Sequence, residues 1–296
     1  MRYEVTHKTK YVYQSPASLC HNIVYQWPAT FPFQQVDAYR YSILPEPNFL
    51  IKRQDFFENQ YLYFSVQKTH KELVVESTSE ITIIRPGWMD INPGSTPSWE
   101  SVVKLLRETE TPNDTKQFYL ESTYVTYIRG VRSYALESFT PNRPIMEAML
   151  DLNNRINRDF KFTPGFTEIS TPLEDVFKYK KGVCQDYAHF GLACVRSIGL
   201  AGRYMSGYIE TFPPPGKPKL VGADASHAWM ALFIPGAGWV EFDSTNNLLV
   251  GDQHVRVATG RDFADVVPLK GIVYSGGGQK MIVTVDVKQL AEQSFV

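Results

Sequence analysis

Apolar and polar residues alternate from the start of the chain. Over 3–13, Tyr3, Val5, His7, Thr9, Tyr11 and Tyr13 share one side, while Glu4, Lys8, Lys10 and Val12 take the other, mostly polar side. A period of two is the pattern of a half-buried strand. Segments 60–68, 73–77 and 80–85 repeat it, and proline-containing breaks lie at Trp27-Pro28 and Leu44-Pro45-Glu46-Pro47. Residues 1–90 therefore predict an antiparallel sheet or sandwich.

The stretch Asp90-Ile91-Asn92-Pro93-Gly94-Ser95-Thr96-Pro97-Ser98 is dense in turn formers and marks a boundary. Beyond it the period lengthens. Val102, Val103, Leu105 and Leu106 make one short apolar face, and Ile145, Met149, Leu152 and Ile156 sit at the spacings of an amphipathic helix. Thr171-Pro172-Leu173-Glu174 reads as a helix start: threonine as cap, proline at the first helical position, glutamate reaching back. Strands return at 204–210, 227–234, 239–242 and 281–287. The order predicts an α+β chain, with an amino-terminal β domain over 1–90 and a helical segment plus a second core over 91–296. The run Phe212-Pro213-Pro214-Pro215-Gly216-Lys217-Pro218 reads as a stiff loop. Ser275-Gly276-Gly277-Gly278 reads as a turn, because a strand follows it where a phosphate cradle needs a helix amino terminus.

Composition narrows the function. Hydrophobic residues are 43% and charged residues 21%, enough apolar surface for a sizeable core. Thirty basic residues against thirty-one acidic ones leave no basic excess for a nucleic-acid partner. Three cysteines, Cys20, Cys184 and Cys194, exclude a four-cysteine zinc site and suit a reducing compartment. No apolar signal region opens the chain and no stretch reaches the roughly 18 apolar residues of a membrane span, so a cytoplasmic protein without membrane partners is expected.

The strongest chemical signal is Gly182-Val183-Cys184-Gln185-Asp186-Tyr187-Ala188-His189, with a helix over 184–198 closed by Gly199. Cys184 then lies in the first turn, where unpaired N–H groups and the positive dipole end favour a thiolate. At about 100° per residue, Cys194 lies roughly 80° away and packs into the core, while His189 lies about 140° round and cannot serve Cys184. A free cysteine is more often a small buried hydrophobe than a nucleophile, so a second signal is needed. It comes from the hairpin Ser226-His227-Ala228-Trp229 … Trp239-Val240-Glu241-Phe242-Asp243, with Pro235-Gly236-Ala237-Gly238 as its turn. His227 and Asp243 become cross-strand neighbours, an imidazole with a carboxylate behind it. Glu241 shares the face of Asp243 as a weaker competitor, and His254 either supports the site by hydrogen bonds or pairs locally. Cys184, His189 and His227 as zinc ligands are opposed by the helical angles, His21 beside Cys20 is too short a pair, and no loop resembles a calcium site, so no metal or cofactor is expected.

On these residues the sequence resembles the bacterial transglutaminase-like superfamily, which shares the cysteine-peptidase core. The likeness rests on Gly182-Val183-Cys184-Gln185-Asp186-Tyr187-Ala188, on Ser226-His227-Ala228-Trp229 and on Gly238-Trp239-Val240-Glu241-Phe242-Asp243-Ser244-Thr245-Asn246. It extends to His254-Val255-Arg256-Val257-Ala258 and Gly260-Arg261-Asp262, and to the opening strand. The resemblance implies a helix bearing the cysteine packed on an antiparallel sheet, with Cys184 as nucleophile, His227 as base and Asp243 as orienting acid. It implies a protein or peptide substrate and acyl transfer through a thioester, to an amine or to water. A papain-like amidase on the same core and a non-enzymatic interaction module with a vestigial core are the rival readings. Two departures are visible: Met230-Ala231-Leu232 where the family often places an acidic residue, and Ser244 where proline is common.

Overall fold

The computed structural model describes residues 1–108, 113–210 and 225–291. Six strands come first: β1 (Arg2–Ala17), β2 (Leu19–Val24), β3 (Gln34–Leu44), β4 (Phe49–Gln54), β5 (Gln60–Val66) and β6 (His70–Ile83). The alternation read over 3–13 is realised in β1, where Tyr3, Val5, His7, Thr9 and Tyr13 are buried. Two runs expected as separate strands, 73–77 and 80–85, are one strand, β6. Its buried side passes through Ser77 and Ser79 without losing the period, because two small hydroxyls fit where apolar residues sit elsewhere.

The helical part holds α1 (Trp99–Arg107), α2 (Asn113–Lys116), α3 (Val131–Ser138), α4 (Ile145–Asp159), α5 (Leu173–Tyr179) and α6 (Cys184–Ser197), with short strands β7 (Lys161–Phe162) and β8 (Lys181–Gly182). The four apolar positions predicted for α4 are all fully buried. Helix α5 forms, but Thr171 does not cap it. The Thr171 hydroxyl accepts instead from the Glu168 N–H at 2.9 Å, closing the preceding turn, and the helix begins after Pro172 without a side-chain cap. Among the described residues no helix is long and apolar enough to cross a membrane.

The remaining strands are β9 (Gly202–Ile209), β10 (Ser226–Ile234), β11 (Gly238–Asp243), β12 (Leu248–Leu249), β13 (His254–Gly260), β14 (Leu269–Tyr274) and β15 (Gln279–Leu290). A five-stranded antiparallel sheet runs β12-β11-β10-β9-β13. Helix α6 lies on it, buried along 186–196, with α3, α4 and α5 packed around it. The contact is close: a Cβ on Gly191 would stand 2.5 Å from Met230 Sδ, so only glycine lets the helix approach β10. The fold is mixed α+β, as the sequence predicts.

The amino-terminal unit contains two four-stranded sheets, β15-β1-β6-β3 and β14-β2-β5-β4. The last two strands of the chain thus pair with the first two, although the sequence places everything after residue 90 in the second core. Period-two patterning shows that a strand exists, not which sheet receives it. Side-chain amides fasten the two units along β13. Gln34 Nε2 donates to Arg256 O and Gln34 Oε1 accepts from Arg256 N, each at 2.8 Å; Asn59 does the same for Thr259 at 2.7 and 2.8 Å. These two amides occupy an edge that would otherwise leave backbone groups unpaired.

Candidate active site

Helix α6 starts where β7 and β8 pair in parallel, fixing the chain just before Cys184. The Asp186 carboxylate reaches back to accept from Val183 N–H at 2.7 Å and from Thr167 Oγ1 at 2.6 Å. Burial raises the Asp186 pKa, opposed by those two hydrogen bonds. Gly182 is required here, since a Cβ would fall 2.5 Å from Asp186 Oδ2. Cys184 then occupies the first turn, partly exposed, whereas Cys194 is fully buried and its thiol is pushed up by burial. Both placements match the helical-wheel expectation.

His227 is the second residue of β10, paired with Gly207 of β9. The β10–β11 register runs from Ile234↔Gly238 to Met230↔Phe242, so the turn centres on Gly236, one residue later than a count symmetric about Pro235. Asp243 lies just beyond that ladder, diagonal to His227 on the same face, and the diagonal is short enough: His227 Nε2 and Asp243 Oδ2 are 2.8 Å apart.

Asp243 is a saturated acceptor. Besides His227, its Oδ2 takes Asn246 Nδ2 at 2.7 Å and His254 Nε2 at 3.0 Å; its Oδ1 takes the backbone N–H groups of Thr245 and Asn246 at 3.0 and 3.2 Å. Burial alone would raise this carboxyl, but hydrogen bonds from the two imidazoles hold it far below the usual carboxylate range. Burial alone would lower His227. The hydrogen bond to Asp243 and the interaction with the Cys184 side chain outweigh it and push the ring up to about 10. Asp243 and Cys184 thus favour the protonated form of this ring.

Helix α4 holds the turn carrying Asp243. Asn157 Nδ2 donates to Ser244 O and Thr245 O at 3.2 and 2.8 Å, and Ser244 Oγ donates to Asn153 Oδ1 at 2.8 Å. Serine at 244, where proline is common in the resembled family, thus supplies an anchor to the helix. The sequence reading misses Asn153, Asn157 and Asn246. Its available signal is two asparagines at i, i+4 on a helix whose neighbouring positions are apolar.

The remaining candidates separate. Glu241 does not serve His227: it accepts from Trp229 Nε1 at 2.7 Å and pairs with Arg256 Nε at 2.6 Å. His189 faces away, accepting from Phe263 N–H at 3.2 Å and stacking on Tyr124, and burial lowers it to about 4. His254 joins the site through Asp243. Among the described residues, the ligand atoms of His227, Asp243 and His254 lie within 4.8 Å of one another, the one cluster that could hold a metal ion. In this geometry both imidazole nitrogens facing Asp243 donate to it, and a protonated nitrogen has no lone pair for a cation; the set fits a hydrogen-bonded acid–base group. Beside the first turns of α6 a cavity of about 340 Å³ is lined by Tyr124, Tyr127, Thr171, Glu174, Gln185 and His189, among others. The proline-rich run over 212–218, read as a stiff loop, lies outside the described residues.

Comparison with known proteins finds two matching stretches. A model of the bacterial transglutaminase-like N-terminal region matches residues 3–82, and one of the transglutaminase-like superfamily matches 132–244. An uncharacterized Mycobacterium tuberculosis protein is 37% identical over 294 residues, covering 97% of this chain and 92% of that one. One from Mycobacterium leprae is 29% identical over 300 residues, covering 98% and 99%. A crystal structure of a candidate cysteine protease from Cytophaga hutchinsonii superimposes with a TM-score of 0.76 at 18% identity, over 99% of this chain and 92% of that one, which shows the shared fold. With its helix-borne cysteine, its sheet-borne histidine and these matches, the chain belongs to the bacterial transglutaminase-like superfamily, a family of cysteine-based acyl transferases and peptidases.

Proposed function

We propose that the protein is a cysteine-dependent acyl transferase or hydrolase acting on a carboxamide of a protein or peptide, with Cys184, His227 and Asp243 as its catalytic residues. The observation that carries this reading is one imidazole held on Asp243 at 2.8 Å and acted on by Cys184, the residue opening a helix. Cys184 supplies the attacking sulfur and His227 the proton. The sulfur attacks the carbonyl carbon, and the carbon–nitrogen bond breaks as His227 gives its proton to the departing amine or ammonia. A thioester remains. An amine or water then attacks the thioester, His227 takes the proton, and the carbon–sulfur bond breaks to restore the thiolate. In this reading the oxyanion is bound by the N–H of Cys184, at the positive end of α6.

Turnover of a glutamine-containing or general peptide amide is expected to vanish in Cys184→Ala, with the fold unchanged by circular dichroism. Mass spectrometry of products formed with and without added amine then separates transamidation from hydrolysis. Retained turnover in Cys184→Ala removes the nucleophile assignment. Iodoacetamide labelling of Cys184 no faster than that of buried Cys194 favours instead an interaction module with an inactive core.

A further inference from the structure

We infer that His254 is a positioning residue, whose neutral imidazole donates from Nε2 to Asp243 Oδ2, fixes the carboxylate and limits the negative charge it presents to His227. The inference rests on the catalytic reading of the preceding subsection and adds a fourth residue to it. One carboxylate oxygen receives three donors, at 2.7, 2.8 and 3.0 Å, from Asn246, His227 and His254. Donors sharing one oxygen compete for the same electron density, so each weakens the hold of the others.

Three observations fix the protonation of His254. A carboxylate only accepts, so the His254 nitrogen facing it carries the proton. The opposite nitrogen, Nδ1, is buried with no hydrogen-bond partner among the described residues, and the whole residue is 1% exposed. A proton on Nδ1 would therefore add both an unpaired donor and a buried charge. The ring is faced by Asp243, by His227 with centroids 6.0 Å apart, by Trp229 at 5.1 Å edge-on, and by the Glu241–Arg256 pair. Burial lowers its pKa against the attraction of Asp243. His254 thus differs from His227 on the same carboxylate: one ring carries the charge, the other spends a hydrogen bond without adding a second cation.

The test uses the full chain with ring-labelled histidines and long-range proton–nitrogen NMR between pH 5.5 and 9. His254 is expected to hold a single proton on Nε2, with Nδ1 bare throughout. In His254→Phe, which keeps the ring and removes the donor, the His227 titration should move up by about half a unit or more, since Asp243 then leans wholly on His227 and Asn246. The same variant should lose about tenfold in kcat at nearly unchanged KM, the rate equivalent of one hydrogen bond to a charged group. His254→Gln, which restores an N–H of similar reach, should return both toward wild type. A His254 proton on Nδ1, a doubly protonated His254, or a folded His254→Phe in which His227 titrates as in wild type overturns the inference. If His254→Phe does not fold, the tautomer in the wild-type chain decides. Failure of the catalytic reading shows separately, as turnover surviving Cys184→Ala while the His254 signature stands.

Discussion

A single carboxylate sets the character of the site. Asp243 is fully buried and accepts five hydrogen bonds, which is why it stays ionised where burial would protonate it. Its hydrogen bond, together with the Cys184 side chain, outweighs burial and raises the His227 pKa. In Asp243→Asn the side chain keeps its shape but loses the charge and, facing donors from four residues, places an amide against them. Proton transfer by His227 should fall by about a thousandfold or more in kcat, as when a triad loses its orienting acid. The measurement is steady-state turnover together with the pH dependence of Cys184 alkylation; an unaltered profile removes Asp243 from the mechanism. Cys184, His227 and Asp243 were legible in the sequence because each has a local cue: a helix start, a strand start, a strand end. The His254 contact stayed one of two readings, since its partner is chosen by the placement of β13 beside β9 and no short-range pattern encodes that; Asn246 was missed although it bonds Asp243 only three residues away.

Elements matter here through their ends. Helix α6 presents Cys184 because Gly182 lets the Asp186 carboxylate fold back over the first turn, and β11 presents Asp243 because α4 grips the turn after it. Amphipathic period predicted where α4 lies and which apolar residues it buries, but it is blind to the polar work of the same helix. Asn153 and Asn157 project toward the sheet, not toward solvent, and Asn153 is 1% exposed. Asn157→Ala removes two donors to the carbonyls of Ser244 and Thr245. A loss of about 1 kcal/mol of stability for each net hydrogen bond is expected. Because the turn also sets the direction of Asp243, kcat should fall several-fold at constant KM, although residue 157 touches no reacting atom. Denaturant unfolding and turnover on the same preparation check this; a stability loss with unchanged kcat would show that the turn keeps its geometry unaided. The mis-assigned cap at Thr171 teaches the complementary lesson. A threonine–proline pair was read correctly as a helix boundary, but the hydroxyl had a nearer donor in the Glu168 N–H.

At the scale of the molecule, the chain closes on itself. β1 pairs with β15 along Arg2↔Leu290 to Tyr13↔Gln279, and β2 pairs with β14 along Val24↔Leu269 to Leu19↔Tyr274. His7, on the buried side of β1, bonds Tyr208 of the five-stranded sheet at 2.8 Å, so the first strand touches both its own sheet and the second core. Burial lowers His7 and His189 to about 4, below the ordinary histidine value. The unfolded chain therefore binds more protons than the folded one between about pH 6.5 and 4, and stability is lost as pH falls through that window. Calorimetric unfolding near pH 5 should show uptake of about two protons from these two rings, with a further contribution from His254, whose pKa burial also lowers; no uptake would mean that these rings are charged in the folded state. The closing strands make a stronger demand. Val285 and Val287 are buried at 1% and 0% exposure within the same apolar cluster as Tyr3, Val5 and the helices of the second unit. Each contributes roughly 1.5–3 kcal/mol, and a ladder of twelve residue pairs on β1 goes with them. Cutting the chain after residue 268 removes β14 and β15, exposes the edges of β1 and β2, and takes away several kcal/mol from a stability of typically about 5–15 kcal/mol. Such a truncated chain is expected to lose cooperative unfolding and collect in the insoluble fraction. Separate catalytic competence of the remainder is not expected either, because Gln34 and Asn59 would hold β13, and with it His254, from a unit that no longer folds. A soluble truncated chain with a sharp transition at the full-length Tm would show instead that the amino-terminal sheets need only their own residues.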